Sequence, residues 1–153
     1  MKELFDNFYE EIFSHNDSQQ LDLKTFKLVS RKFKWNYQRF FSSLPKDAKI
    51  LDFGCGVGQF LFYLQKEGFC NLMGIDLSKT QIELALQMQP QINFRHIENP
   101  LEFLKEQPEQ YDMVTMNDVL EHINLDEMIP LLQTLYKSLK PGGLLVIKTV
   151  NGA

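Results

Sequence analysis

Apolar positions along the chain follow two regimes that meet near residue 44. In the first they recur at intervals of three and four: Leu4, Phe5, Phe8, Tyr9, Ile12 and Phe13, then Phe26, Leu28, Val29, Phe33, Trp35, Tyr37, Phe40 and Phe41. That spacing gathers them on one side of a helix. Ser14 to Ser18 reads as a connection between two helices, Asp22 as a cap for the second and Pro45 as its stop, so residues 1–44 are predicted to form a helical arm. From residue 45 onward short apolar runs alternate with helical stretches. Strands are expected at 49–53, 72–76, 92–97, 113–117 and 144–150, and a helix from Gln59 to Glu67 that Gly68 ends. Ser78 with Gln81 makes a capping box for a helix through Met88, stopped by Pro90. Asn99 and Pro100 start a short helix to about Gln107. Asn124 and Glu127 cap another to about Leu139, with Pro130 kinking or delaying it, and Pro141-Gly142-Gly143 turns the chain into the last strand.

This alternation defines an α/β chain: a doubly wound parallel sheet with helices on both faces, in which right-handed crossovers align the strand C-terminal ends along one functional edge. With 153 residues and 44% hydrophobic content, residues 45–153 suit one compact core. No apolar run approaches the ~20 residues that span a bilayer. The acidic start MKELFDNFYEEIF lacks the basic and then apolar regions of an export signal, which predicts a cytoplasmic protein that does not engage a membrane. Cys55 and Cys70 have no zinc-site spacing and are expected as reduced thiols.

Charge changes the picture only in the arm. Residues 24–39 hold six cations and no acid, so a chain of net −4 carries −10 elsewhere. Basic residues confined to one helix give little of the footprint that nucleic acid requires, and no nucleic-acid partner is expected. An ordinary helix, apolar on one face with solvated lysines on the other, accounts for the pattern.

The chemistry concentrates where the first strand enters its helix, at Leu51-Asp52-Phe53-Gly54-Cys55-Gly56-Val57-Gly58. Gly54 and Gly56 would let backbone lie against a ligand, and Asp52 offers a carboxylate to a cationic amine while disfavouring a phosphate. A nicotinamide fingerprint would need a small residue where Gln59 stands. A tight strand-to-helix turn with incidental glycines explains the same residues. The second strand ends in Asp76, 24 residues after Asp52, where a carboxylate can accept hydrogen bonds from both hydroxyls of a ribose. Capping of the following helix is its other reading.

The stretches LDFGCGVGQF, GIDLS, YDMVTMNDVLEH and LKPGGLLVIKT together resemble the class I S-adenosylmethionine-dependent methyltransferases over about residues 47–151. The resemblance implies a Rossmann-like sheet ordered 3-2-1-4-5, S-adenosyl-L-methionine as cofactor and S-adenosyl-L-homocysteine (SAH) as product. It also implies that Asp52, Gly54, Cys55 and Gly56 hold the methionine part, Asp76 the ribose, Leu77 one adenine face and Glu98 or Asn99 the adenine amine. Glu98-Asn99-Pro100 departs from the Gly-Asp-Ala common in the family and leaves that last choice open. Arm residues Tyr9, Trp35, Tyr37 or Arg39 would serve as a lid.

Asn117 and the segment after it place polar groups where the methyl donor would project. Asp118, Glu121 and His122, spaced as on one helical face, could meet at a common point as a hydrogen-bonded network, as a general base oriented by a carboxylate, or as a cation seat. His122 with Asp118 is the expected catalytic pair, without a metal. A similar Glu-Val-Leu-Glu-His pattern occurs in quinone-biosynthesis O-methyltransferases, while the arm and the DVLEH segment are similar to methyltransferases of bacterial surface polysaccharides. Both imply a small-molecule or sugar acceptor methylated on oxygen or nitrogen. The family's last two strands have no counterpart here, so the sheet edge could pair with a second copy of the chain. A non-catalytic cofactor-binding module, and more remotely a nucleotide-cofactor oxidoreductase, are the rival readings.

Overall fold

A computed structural model describes the backbone of residues 23–149 and side chains from residue 29 onward. The first expected helix and its connection, with Tyr9, and the Asp22 cap lie outside the described residues. The described residues fall into two compact units divided between Gln38 and Arg39. Helix α1 (Leu23–Phe41) carries Trp35, which is 89% exposed, and packs Phe33 on Tyr37 with ring centroids 6.1 Å apart. Its final residue, Phe41, sets its ring edge-on against Tyr63 and Phe69.

Among the described residues five parallel strands form the sheet: β1 (Ile50–Phe53), β2 (Leu72–Asp76), β3 (Asn93–His96), β4 (Tyr111–Asn117) and β5 (Leu139–Lys148), ordered β3-β2-β1-β4-β5. This is the expected α/β order. Helices α2 (Gln59–Lys66), α3 (Lys79–Met88), α4 (Pro100–Lys105) and α5 (Leu125–Ser138) cross between them. The faces follow from the period of two along a strand. Leu51, Phe53, Ile75, Val114 and Met116 build one core with Leu104 of α4 and Leu131 and Leu135 of α5. On the other face Gly74 of β2 lies so close to Leu61 of α2 and Phe94 of β3 that an added Cβ would stand 2.8 Å from each. Each buried Leu or Ile contributes about 1.5–3 kcal/mol relative to exposure.

Several boundaries move. β4 begins at Tyr111, two residues early, and β5 begins at Leu139 instead of after the Pro-Gly-Gly turn. Tyr111 pairs with Leu139 and Met113 with Leu144, so two steps along β4 match five along β5. The Pro141-Gly142-Gly143 segment is therefore a bulge inside the strand, because backbone pairing resumes on both sides of it. Pro130 neither delays α5, which starts at Leu125, nor ends it, and the Pro130 carbonyl accepts from Thr134 Oγ1 at 2.7 Å. Asn124 does not cap α5 with its side chain; its amide donates to Glu127 Oε2 at 3.2 Å, and its carbonyl takes the Glu127 and Met128 N–H groups.

Candidate functional site

Because every strand is parallel and β1 is central, the C-terminal ends of β1, β2 and β4 open onto one edge, where the strand order reverses beside β1. The register puts Asp52 between Gly74 and Thr115. Asp52 is 2% exposed, and its Oδ1 accepts from Thr115 Oγ1 at 2.7 Å and from Asn117 Nδ2 at 3.3 Å. Oδ2 takes no hydrogen bond among the described residues. Burial pushes the Asp52 carboxyl up to about 7, with the two hydrogen bonds pulling down and the Asp76 charge adding to the rise. A carboxylate removed from water with no cation beside it favours its proton.

The loop after β1 is held at both ends by β2. The Gly54 and Cys55 N–H groups donate to the Ile75 carbonyl at 2.8 and 3.1 Å, and Gly56 N–H donates to Asp76 Oδ2 at 2.8 Å. The other Asp76 oxygen accepts Ser78 N–H, also at 2.8 Å. Asp76 thus ties the glycine loop to the start of α3, and its helix-start role is realised in the structure. Burial raises its pKa, opposed by those backbone donors. An ionised carboxylate has about four acceptor sites, so both oxygens retain capacity for a ligand.

The three loop glycines prove to differ. A Cβ on Gly54 would stand 2.4 Å from a Val119 methyl, and one on Gly58 2.3 Å from the Phe94 ring, whereas one on Gly56 meets only Gln81 Oε1, at 3.6 Å. Packing demands glycine at 54 and 58; open space lies over Gly56 alone. At Gly54 packing against Val119 is by itself enough to require glycine. Burial pushes the Cys55 thiol up, so it stays protonated between the loop and Gly74.

Leu77 is 57% exposed at the exit of β2, an apolar surface beside Asp76, and its carbonyl is 3.0 Å from His96 Nε2. Of the next pair, Asn99 is committed to α4: its Oδ1 accepts Glu102 N–H and its Nδ2 donates to Glu102 Oε2, both at 3.2 Å. Glu98 is exposed and makes no hydrogen bond among the described residues.

Beyond β4 the two carboxylates each take a partner from the end of β5. Asp118 adopts a left-handed backbone with φ of 54° and pairs with Lys148 of β5, while Glu121 Oε2 accepts from Thr149 Oγ1 at 2.9 Å. His122 ends a single 3₁₀ turn, Leu120–His122, and is exposed at the same edge. Among the described residues no three His, Cys, Asp or Glu side chains are grouped to hold a metal, and no helix is long and apolar enough to cross a membrane. Sequence reasoning missed Thr115, Gly58 and Gly74. A threonine inside the otherwise apolar run Met113–Met116 was the available signal for the first; the other two are read only from what their neighbours occupy.

The fold is that of S-adenosylmethionine-dependent methyltransferases. One such enzyme from Archaeoglobus fulgidus superposes with a TM-score of 0.72 at 23% identity, over 97% of this chain and 59% of its own. The chain belongs to the family described as methyltransferase domain, whose model matches residues 26–153. The plantazolicin methyltransferase BpumL, solved with SAH, is similar with a TM-score of 0.66 and 26% identity, over 98% of this chain and 53% of its own. Two relatives named ubiquinone biosynthesis O-methyltransferase are similar in sequence. That of Rickettsia bellii is 35% identical over 108 residues, which is 69% of this chain and 43% of the relative. The mitochondrial one of Rattus norvegicus is 37% identical over 110 residues, 67% of this chain and 31% of its own. The chain spans less than half the length of these two relatives.

Proposed function

We propose that this chain forms the S-adenosylmethionine-binding core of a methyltransferase that acts on the oxygen of a small hydroxylated molecule. The observation that carries the reading is the pairing, across one glycine loop, of Asp52, buried with one oxygen unpartnered, and Asp76, with open space over Gly56 between them in the chain. Asp52 suits the ammonium of the methionine moiety, Asp76 the ribose hydroxyls and Leu77 an adenine face. With Asn99 engaged in capping, Glu98 is the residue left to accept from the adenine amine. When bound, the cofactor supplies an electrophilic methyl group, and the chain's task is to hold it in line with an acceptor, where proximity is worth an effective molarity of ~10⁵ M or more. The O-methyltransferase names of the relatives support an oxygen acceptor.

An oxygen acceptor needs a base, and an imidazole is the side chain suited to that role near neutral pH. His122 fills it in this reading, and Asp118, neutralised by Lys148, positions the turn that carries it. Two measurements test the proposal. Titration calorimetry should detect SAH binding, and failure to bind would end the reading. His122→Ala should lower methyl transfer to a competent hydroxylated acceptor about 10²-fold or more with SAH affinity unchanged. A variant that keeps the parental rate removes the base assignment. Binding without transfer to any acceptor would leave a binding module.

A further inference from the structure

The first turn of α3 contains an amide that the helix itself does not use. In a Ser-x-x-Gln start the Gln side chain reaches back to the Ser backbone N–H. Here Asp76 Oδ1 takes the Ser78 N–H at 2.8 Å, while Ser78 Oγ still accepts Gln81 N–H at 3.4 Å. Half of the capping box has passed to a carboxylate at the end of β2, and the Gln81 side chain is released from it. Gln81 is 4% exposed, yet its amide makes no hydrogen bond among the described residues, and it is not among the polar atoms sealed from solvent without a partner. A nearly buried amide left unpaired is costly unless something enters to pair it.

Its Oε1 lies 3.6 Å from the point where a Cβ would stand on Gly56, and, apart from Gly56 and its two chain neighbours, no other described residue comes within 4 Å of that point. Gly56 N–H in turn donates to Asp76 Oδ2. Gln81 and Asp76 therefore border the same open space. The geometry points to Gln81 as a second hydrogen-bonding residue for the ribose of the cofactor, working beside Asp76. The chemistry of the two is complementary: an ionised carboxylate only accepts, whereas a ribose hydroxyl both donates and accepts. The hydroxyl gives its proton to Asp76, and its oxygen receives an N–H from the amide. Exchange of the amide O and N by a half-turn leaves the shape of the side chain unchanged. Asp76 and Gln81 together would select a ribose with both hydroxyls over a deoxyribose.

This inference rests on the S-adenosylmethionine-binding reading, and the test keeps the two apart. Dissociation constants are measured for SAH and for its 2′-deoxy and 3′-deoxy analogues with the parent chain, with Gln81→Met, which keeps the volume without hydrogen bonding, and with Gln81→Glu, which only accepts. Melting temperatures without ligand confirm that each variant folds. Both variants should weaken SAH about three- to tenfold, the worth of one neutral hydrogen bond, and leave at least one deoxy analogue unaffected. An unchanged SAH constant, or equal losses for SAH and both analogues, overturns the ribose contact while the cofactor reading stands. A parent chain that does not bind SAH overturns both.

Discussion

The loop after β1 and the turn after β4 sit at the same edge of the sheet, and each presents carboxylates, yet they treat them in opposite ways. Asp52 is buried and held by neutral donors, Thr115 and Asn117, so its charge is oriented but not neutralised. Asp118 is exposed and already paired with the Lys148 ammonium. Depth in the sheet makes the difference. β1 has strands on both sides and helices on both faces, whereas the β4–β5 exit lies one strand from the edge. A carboxylate oriented without a cation retains its attraction for one, and this makes the β1–β2 exit the binding half of the edge. The β4 exit, held by surface pairs, is suited to present a side chain such as His122.

Substitution at the glycines should break the contrast most sharply. Gly58→Val must displace the Phe94 ring, 2.3 Å from the new Cβ, and hold a β-branched residue at φ of 76°, so a loss of about 2–4 kcal/mol in stability is expected on thermal or urea unfolding. Gly56→Ala meets only ordinary contact, and its cost is the left-handed backbone, about 1 kcal/mol. SAH affinity should nevertheless collapse in Gly56→Ala. If both variants lose stability equally and Gly56→Ala binds SAH normally, the open space over Gly56 has no ligand role.

Asp52→Asn should separate binding from folding. In the folded chain the carboxyl keeps its proton up to about 7, against an ordinary 3.8. Between those values the unfolded state binds fewer protons than the folded one, so this group's contribution to stability is complete below the lower value and is lost as pH rises through the upper one. Asp52→Asn retains an oxygen for Thr115 and has nothing to ionise. The melting temperature should therefore fall less between mildly acidic and mildly alkaline pH than in the parent. SAH binding should weaken by about 1.5–3 kcal/mol, the value of a hydrogen bond to a charged group. Parent affinity for SAH should also rise with pH as Asp52 ionises, and a flat profile would contradict its role as the ammonium partner.

The smallest effect is expected at the other end of the comparison. Lys148→Met removes the partner of Asp118 at a partly exposed site, where a pair contributes about 0–1 kcal/mol. Chemical denaturation should show a change within that range, and SAH affinity should stay as in the parent. A larger loss would mean that the β4 exit is as tightly built as the β1 exit.

Period and punctuation along the chain were enough for the element order and the parallel sheet, because each depends on local patterns: apolar runs of four or five residues, Gly and Pro breaks, and helix-start pairs such as Ser78 with Gln81; the strand order with its switch beside β1 followed only from the family resemblance. The positions of Asp52 and Asp76 were legible for the same reason, since a residue that ends a parallel strand must stand at the functional edge. What each residue does there was decided by neighbours distant in sequence. Thr115, 63 residues from Asp52, supplies its shortest hydrogen bond; Phe94 and Val119 fix Gly58 and Gly54; Asp76 displaces Gln81 from its capping role; Lys148 and Thr149 engage Asp118 and Glu121. Helix spacing alone would have gathered Asp118, Glu121 and His122, but hydrogen bonding at the exit of β5 satisfied the carboxylates first. Local sequence sets which groups arrive at the edge through backbone periodicity, and tertiary packing sets their protonation, their partners and the space left beside them, because burial and hydrogen-bond competition are properties of the assembled fold.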